Sequence, residues 1–361
     1  MGLYSGPIID CCVHHYWRSQ EEVISYMPEA WQQFVGGNPI VPTFPYDHPL
    51  GDRTHEPWDR QALEAHLDRI GAEAAILSHD LSMFVPTLPS HYLAAEITKA
   101  VNQWTIDRWL DGDTGRLWGS ILVSNQFPQD AADEIRRLAK HPRMATVLLA
   151  GNGLGKPFGH PLYHPIYEAA EEVGLPVTIH VGGDAVVETL TATSAGGPPA
   201  LYVEYQLLAA QPLMTHLVSL IAQGVFEKYP HVRVLFVGAG VAWLPSLMWR
   251  FDSVYNAYRR EIPWLHRAPT SYLRDHIRMT TYPLDSPPQP EQLVRLLRTF
   301  PVLEDMLCFA SGYPARNGDD PNAIQDRLPA DWLPKIFRDN ARDLYGWSKS
   351  KGHSSPVVAE V

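Results

Sequence analysis

The stretch "IIDCCVHHYW" near the N-terminus sets Cys12 and His14 two residues apart. Side chains alternate along an extended strand, so Asp10, Cys12 and His14 are expected on one side, with Cys11 and Val13 on the other. A thiol and an imidazole brought together in this way can both reach one metal ion, and zinc accepts both donor types. Taken alone, the pair reads first as a small core thiol beside a capped loop histidine. His180 closes the apolar run "VTIHVGG". A titratable group at such a strand end reads as catalytic or ligating, against the simpler reading of a satisfied core histidine. Two histidines at separate strand ends favour convergence on one centre. His216, in "THLVSLIAQGVFEKYP", is either a helix-surface residue or a general acid/base facing that centre. Tyr16, Trp17 and Trp243 would line a pocket for a planar ligand, or simply pack. Cys308 reads as core, and His160 and His164 receive no role. Carboxylates are scarce where a divalent ion would want them: Asp10 precedes the candidate ligands, and Asp184 lies beyond two glycines.

The elements that must position these residues recur regularly. Apolar runs rich in β-branched residues occupy 7–14, 74–80, 117–123, 144–151, 176–183, 233–240, 277–283 and 306–314. Amphipathic helical patterns follow at 59–71, 91–110, 128–140, 164–174, 213–228, 243–261, 289–299 and 331–345. Strand and helix in alternation imply parallel strands joined by crossover helices. Eight such units predict an α/β fold of the (β/α)8 TIM-barrel type, with chemistry at the C-terminal strand ends. A doubly wound open sheet is the alternative, but no Gly-rich phosphate fingerprint follows the first strand, and no nucleotide cofactor is expected. Long insertions after strands one and five, 18–58 and 184–212, are expected to act as lids over a single domain spanning 1–347, with a polar tail at 348–361.

Composition narrows the partners. The chain has 361 residues, 45% of them hydrophobic, and a net charge of −11 with no basic cluster. Nucleic acid and anionic membranes are therefore not expected partners. No apolar run is long enough to span a bilayer. Three cysteines, two of them adjacent, make reduced thiols and a cytoplasmic location the expectation.

Taken together, "IIDCCVHHYW", "HPLYHPIYEAAEEVGLPVTIHVGG", "HLVSLIAQGVFEKYPHVRVLFVGAGVAWLPSLMWRFD", "LCFASGYP…DDP" and the closing "NARDLYG" resemble the amidohydrolase-related family, in its aminocarboxymuconate-semialdehyde decarboxylase-like branch. The resemblance implies a TIM barrel, frequent dimers, and zinc- or manganese-dependent hydrolysis or non-oxidative decarboxylation of small, often aromatic, acids. It implies metal ligands at Cys12, His14 and His180 and an acid/base at His216. It also implies departures: the family's acidic or His ligand falls on Cys12, its strand-six Glu or His on Gly238, its strand-eight Asp on Gly312, and a frequent His on Ala315. The reading placed first is a degenerate metal site that holds zinc weakly or not at all. Such a chain would be the non-catalytic or regulatory subunit of a complex with an intact paralogue, or a homodimer. The alternatives are an active hydrolase or decarboxylase using an atypical Cys12–His14–His180 zinc site or metal-independent His216 chemistry, and a small-molecule binding protein.

Overall fold

The computed structural model describes residues 4–41, 59–112, 115–182, 197, 199–285, 287–315 and 317–347. Parts of both expected lids, and the tail 348–361, lie outside the described residues.

Eight strands form in chain order: β1 (Ile8–His15), β2 (Ala72–His79), β3 (Leu117–Leu122), β4 (Met144–Ala150), β5 (Val177–His180), β6 (Val234–Val237), β7 (Ile277–Thr280) and β8 (Leu307–Cys308). All neighbours pair in parallel in the order β1 to β8. Strands such as MATVLLA are buried throughout and almost wholly apolar because helices cover one face and the barrel interior the other. The chain beyond Cys308 returns to β1. Cys11 N–H donates to Phe309 O (2.9 Å), Gly312 N–H to Cys12 O (3.1 Å) and His14 N–H to Tyr313 O (2.7 Å). These bonds bring the eight-stranded barrel to near closure.

The helices fall where the apolar periodicity places them, with local stops that the sequence explains. Arg60–Ile70 starts at Asp59, whose carboxylate accepts the Gln61 and Ala62 N–H groups, and ends at left-handed Gly71. The helix expected over 213–228 is instead two, Ala210–Ala222 and Val225–Lys228, because Gly224 takes a positive φ of 72° between them. The insertion after β1 holds two short helices, Glu21–Ile24 and Glu29–Val35, and the one after β5 holds Tyr202–Leu208. The closing helix Asn340–Leu344 docks at the N-terminal ends of the strands, where Asn340 donates to Leu307 O (2.7 Å) and Arg278 to the Asp343 carboxylate (2.7 Å).

One irregularity corrects the simple alternation along β1. Asp10 pairs with Ala75 and Val13 with Leu77, so three steps on β1 face two on β2. The extra residue is a β-bulge at Cys11–Cys12. Consequently Cys11 and Cys12 both join the cluster of Leu235, Val237, Cys308 and Ala310 inside the barrel. Asp10 instead shares the face of Ala75, Leu77 and Val13, away from Cys12. Its Oδ1 accepts N–H groups from Cys12 (3.1 Å) and from Ser311 beyond β8 (3.0 Å). Asp10→Ala would leave two buried N–H groups without partners, so it should cost about 2–4 kcal/mol of stability, while Asp10→Asn keeps an acceptor and should cost well under half of that. Urea unfolding of both variants checks this; an Ala variant as stable as the parent refutes the clamp.

Candidate metal centre

Cys12, His14 and His180 converge at the C-terminal mouth of the barrel. Cys12 Sγ lies 3.6 Å from His14 Nε2 and 3.3 Å from His180 Nε2. All three donor atoms lie within 4.8 Å of one another, and among the described residues no carboxylate joins the group. A tetrahedral zinc ion with ordinary Zn–S and Zn–N bonds needs S···N separations of about 3.6 Å. Each imidazole is also fixed from behind. His14 Nδ1 donates to His79 O (3.1 Å), and His180 Nδ1 donates to Val181 O (2.6 Å). This commits the proton to Nδ1 and leaves the Nε2 lone pairs aimed at the thiol, the outer-shell arrangement of metal-bound histidines. Burial, with His14 nearby, holds His180 down at about 3, so it is neutral at ordinary pH. Burial pushes the Cys12 thiol up, against a hydrogen bond from the Ser78 side chain. A bound cation reverses that preference, because coordination deprotonates a thiol. The residues present therefore fit a divalent ion.

The other expected residues have contacts of their own. His216 is neither on a helix surface nor open to a substrate. It is buried in Ala210–Ala222, its Nδ1 accepts Phe158 N–H (3.1 Å), and its Nε2 donates to Gly151 O (2.7 Å). Its ring stacks on Phe158 with centroids 4.1 Å apart. With both nitrogens bonded to backbone, it staples the end of β4 to the following loop, and an acid/base role would require one of these bonds to break. Trp17 is buried and packs edge-on against Trp104, while Tyr16 stacks on it from a half-buried position (4.0 Å). Trp243 is half-buried, and its Nε1 donates to Ala239 O (2.9 Å) just past β6. Ala315 lines a cavity of about 460 Å³ against Arg60–Ile70, shared with Ser311, Tyr313 and Asp319.

Both glycines in place of expected ligands are enclosed. A Cβ on Gly238 would stand 2.3 Å from Val181 Cγ2, and one on Gly312 would stand 2.5 Å from Tyr282 Cε2 and Cζ. Both glycines take positive φ, 86° and 67°, where other residues are strained. The space for a side chain at either position is already filled. Tyr282 carries no motif that would have singled it out, since an aromatic residue before proline at a strand end reads as packing.

A family model described as amidohydrolase matches residues 9–347. Three solved structures share the fold. An amidohydrolase from Mycobacterium avium subsp. paratuberculosis superposes with a TM-score of 0.71 at 20% identity, covering 95% of this chain and 98% of that one. A 5-carboxyvanillate decarboxylase from Novosphingobium aromaticivorans, complexed with manganese and 4-hydroxy-3-methoxy-5-nitrobenzoic acid, gives 0.70 at 21% identity over 95% and 96%. A dihydroxybenzoic acid decarboxylase from Polaromonas sp. JS666, with manganese and the inhibitor 2-nitroresorcinol, gives 0.64 at 17% identity over 96% and 98%. A comparison with curated proteins gives no match. Among the described residues no helix is long and apolar enough to cross a membrane.

The buried imidazoles should make the metal-free protein acid-labile. Burial holds His79, His180 and His216 at about 4, 3 and 4, and His15 well below its usual value. Each folded value lies below the unfolded one, so each contributes stability that is complete above about pH 6.5 and lost as the pH falls toward the folded value. Asp10 and Asp319, both raised to about 6 by burial, act oppositely, losing their contribution as the pH rises through 6. The histidines outnumber them, so near pH 5 to 6 the unfolded chain binds about two more protons. Stability should therefore fall by roughly 2–3 kcal/mol per pH unit below pH 6.5. Unfolding free energies in urea at pH 7.0, 6.0 and 5.5 measure the slope; a flat profile contradicts it.

Proposed function

We propose a function from one premise: the chain belongs to the amidohydrolase family. The site supports best an active metal-dependent enzyme, a non-oxidative decarboxylase of a small aromatic acid, with the ion held by Cys12, His14 and His180. The observation that carries this reading is the pair of imidazoles, each locked through Nδ1 to a backbone carbonyl, presenting Nε2 to one thiol. A site decaying into packing has no reason to keep both tautomers committed and both lone pairs convergent. The fold neighbours that act on aromatic acids with manganese support the substrate class. The thiolate favours zinc over manganese, since soft sulfur suits the former and harder oxygen donors the latter.

When bound, the ion supplies Lewis-acid polarisation of a coordinated substrate oxygen. The chain's own residues do the rest. His79 and Val181 fix the imidazole orientations through their carbonyls. Ser78 hydrogen-bonds Cys12 and favours its anionic form. Cys12 is fully buried and His180 nearly so, so bulk water does not compete for the ligands from below. His216 stays in its backbone hydrogen bonds and takes no proton.

The metal group without a carboxylate favours a second reading, a metal-binding chain that does not turn over alone and serves an intact paralogue. One set of measurements separates the two. Purified protein exchanged into zinc should hold about one equivalent, and Cys12→Ser should lower the affinity at least about tenfold. Carbon dioxide release should be tested with 2,6-dihydroxybenzoate and 5-carboxyvanillate. Release by the loaded protein supports the enzyme; stoichiometric zinc without release supports the second reading; no zinc at any stoichiometry overturns both.

A further inference from the structure

Gly312 donates its N–H to the Cys12 carbonyl (3.1 Å), so whatever covers Gly312 stands beside the metal-binding thiol's own residue. The Tyr282 ring covers it, in the volume that a Cβ at 312 would need. Tyr282 follows β7 and is 9% exposed. It joins the cluster that contains Cys12, Val237 and Ala310. Among the described residues its hydroxyl has one long contact, 3.4 Å to Asn317 Oδ1, which is short of a strong hydrogen bond. The groups whose charges act on the phenol come from separate sides of the barrel: Cys12 on β1, Tyr202 on the helix after β5, Asp319 beyond β8 and Asp80 after β2. The ring itself packs on Gly312 and belongs to the same buried cluster as Cys12, which puts it beside the metal-binding residues.

We propose that Tyr282 is a substrate-binding residue, whose phenol O–H donates a hydrogen bond to the carboxylate of an aromatic acid held at the Cys12–His14–His180 centre. The proposal rests on the metal-centre reading above. A carboxylate side chain in this quadrant would repel an anionic substrate, whereas a phenol is neutral and a donor at neutral pH. The ring also offers an aromatic edge and face to a planar ligand. Glycine at 312 is then a requirement of the site, because any side chain there displaces the ring.

Full-length protein loaded with cobalt(II) in place of zinc allows the test, with benzoate as the probe and the cobalt visible absorption as the readout. Benzoate should perturb the spectrum of the parent. Tyr282→Phe removes only the hydroxyl and should bind cobalt with unchanged stoichiometry but benzoate about tenfold or more weakly, the effect of losing a hydrogen bond to a charged group. Gly312→Ala, which forces the ring aside, should weaken benzoate likewise. If Tyr282→Phe binds benzoate as the parent does, this proposal falls and the metal centre stands. If the parent takes up no cobalt, the metal-centre reading falls and the proposal falls with it.

Discussion

A single carboxylate oxygen sets the phase of the strand on which the site depends. Asp10 Oδ1 takes the N–H of Cys12 and that of Ser311, and so holds a bulge in β1 against the chain leaving β8. Because side chains alternate with a period of two, one extra residue reverses the facing of everything after it. Without the bulge, a strand that turns Ile9 and Cys11 into the barrel would turn Cys12 and His14 out of it. With the bulge, both enter the interior and meet His180. The same contact that closes the barrel therefore aims two of the three candidate ligands.

The glycines at 238 and 312 take on a different meaning in this setting. Read along the chain, they look like positions from which chemistry has been deleted. In the folded molecule the Val181 side chain and the Tyr282 ring occupy the spaces concerned, and protein interiors are packed closely enough that such space is not shared. The mouth has been repacked around short residues. Restoring a carboxylate at 312 would thus require moving an aromatic ring as well as changing one side chain.

What the sequence makes legible follows from how each feature is encoded. The eight strands and the helices between them rest on long apolar runs and regular periodicity, and the barrel is recovered nearly element by element. The convergence of Cys12, His14 and His180 is legible because His180 ends an apolar strand and His14 stands two residues from a thiol. The facing of Asp10 is not, because a bulge leaves no periodic trace in eight residues. His216 looks the same in sequence whether its nitrogens meet solvent, substrate or backbone; only the Phe158 N–H and the Gly151 carbonyl decide. Tyr282 is silent for a related reason, since its position over Gly312 comes from the pairing of strands seven, eight and one.

The charge balance ties the departures at this site together. A divalent ion with one thiolate and two neutral imidazoles would carry one net positive charge in a buried setting, and buried charge is costly unless it is paired. A strand-eight carboxylate ligand would cancel that charge within the protein. Without one, among the described residues no carboxylate joins Cys12 in the ligand group, and a bound anion would offset the remaining charge. Under the proposed function, an aromatic acid would supply that negative charge through its own carboxylate. Affinity for the anion and neutrality of the filled site would then be one requirement, which a thiolate at position 12, a glycine at 312 and an uncharged phenol between them would meet together.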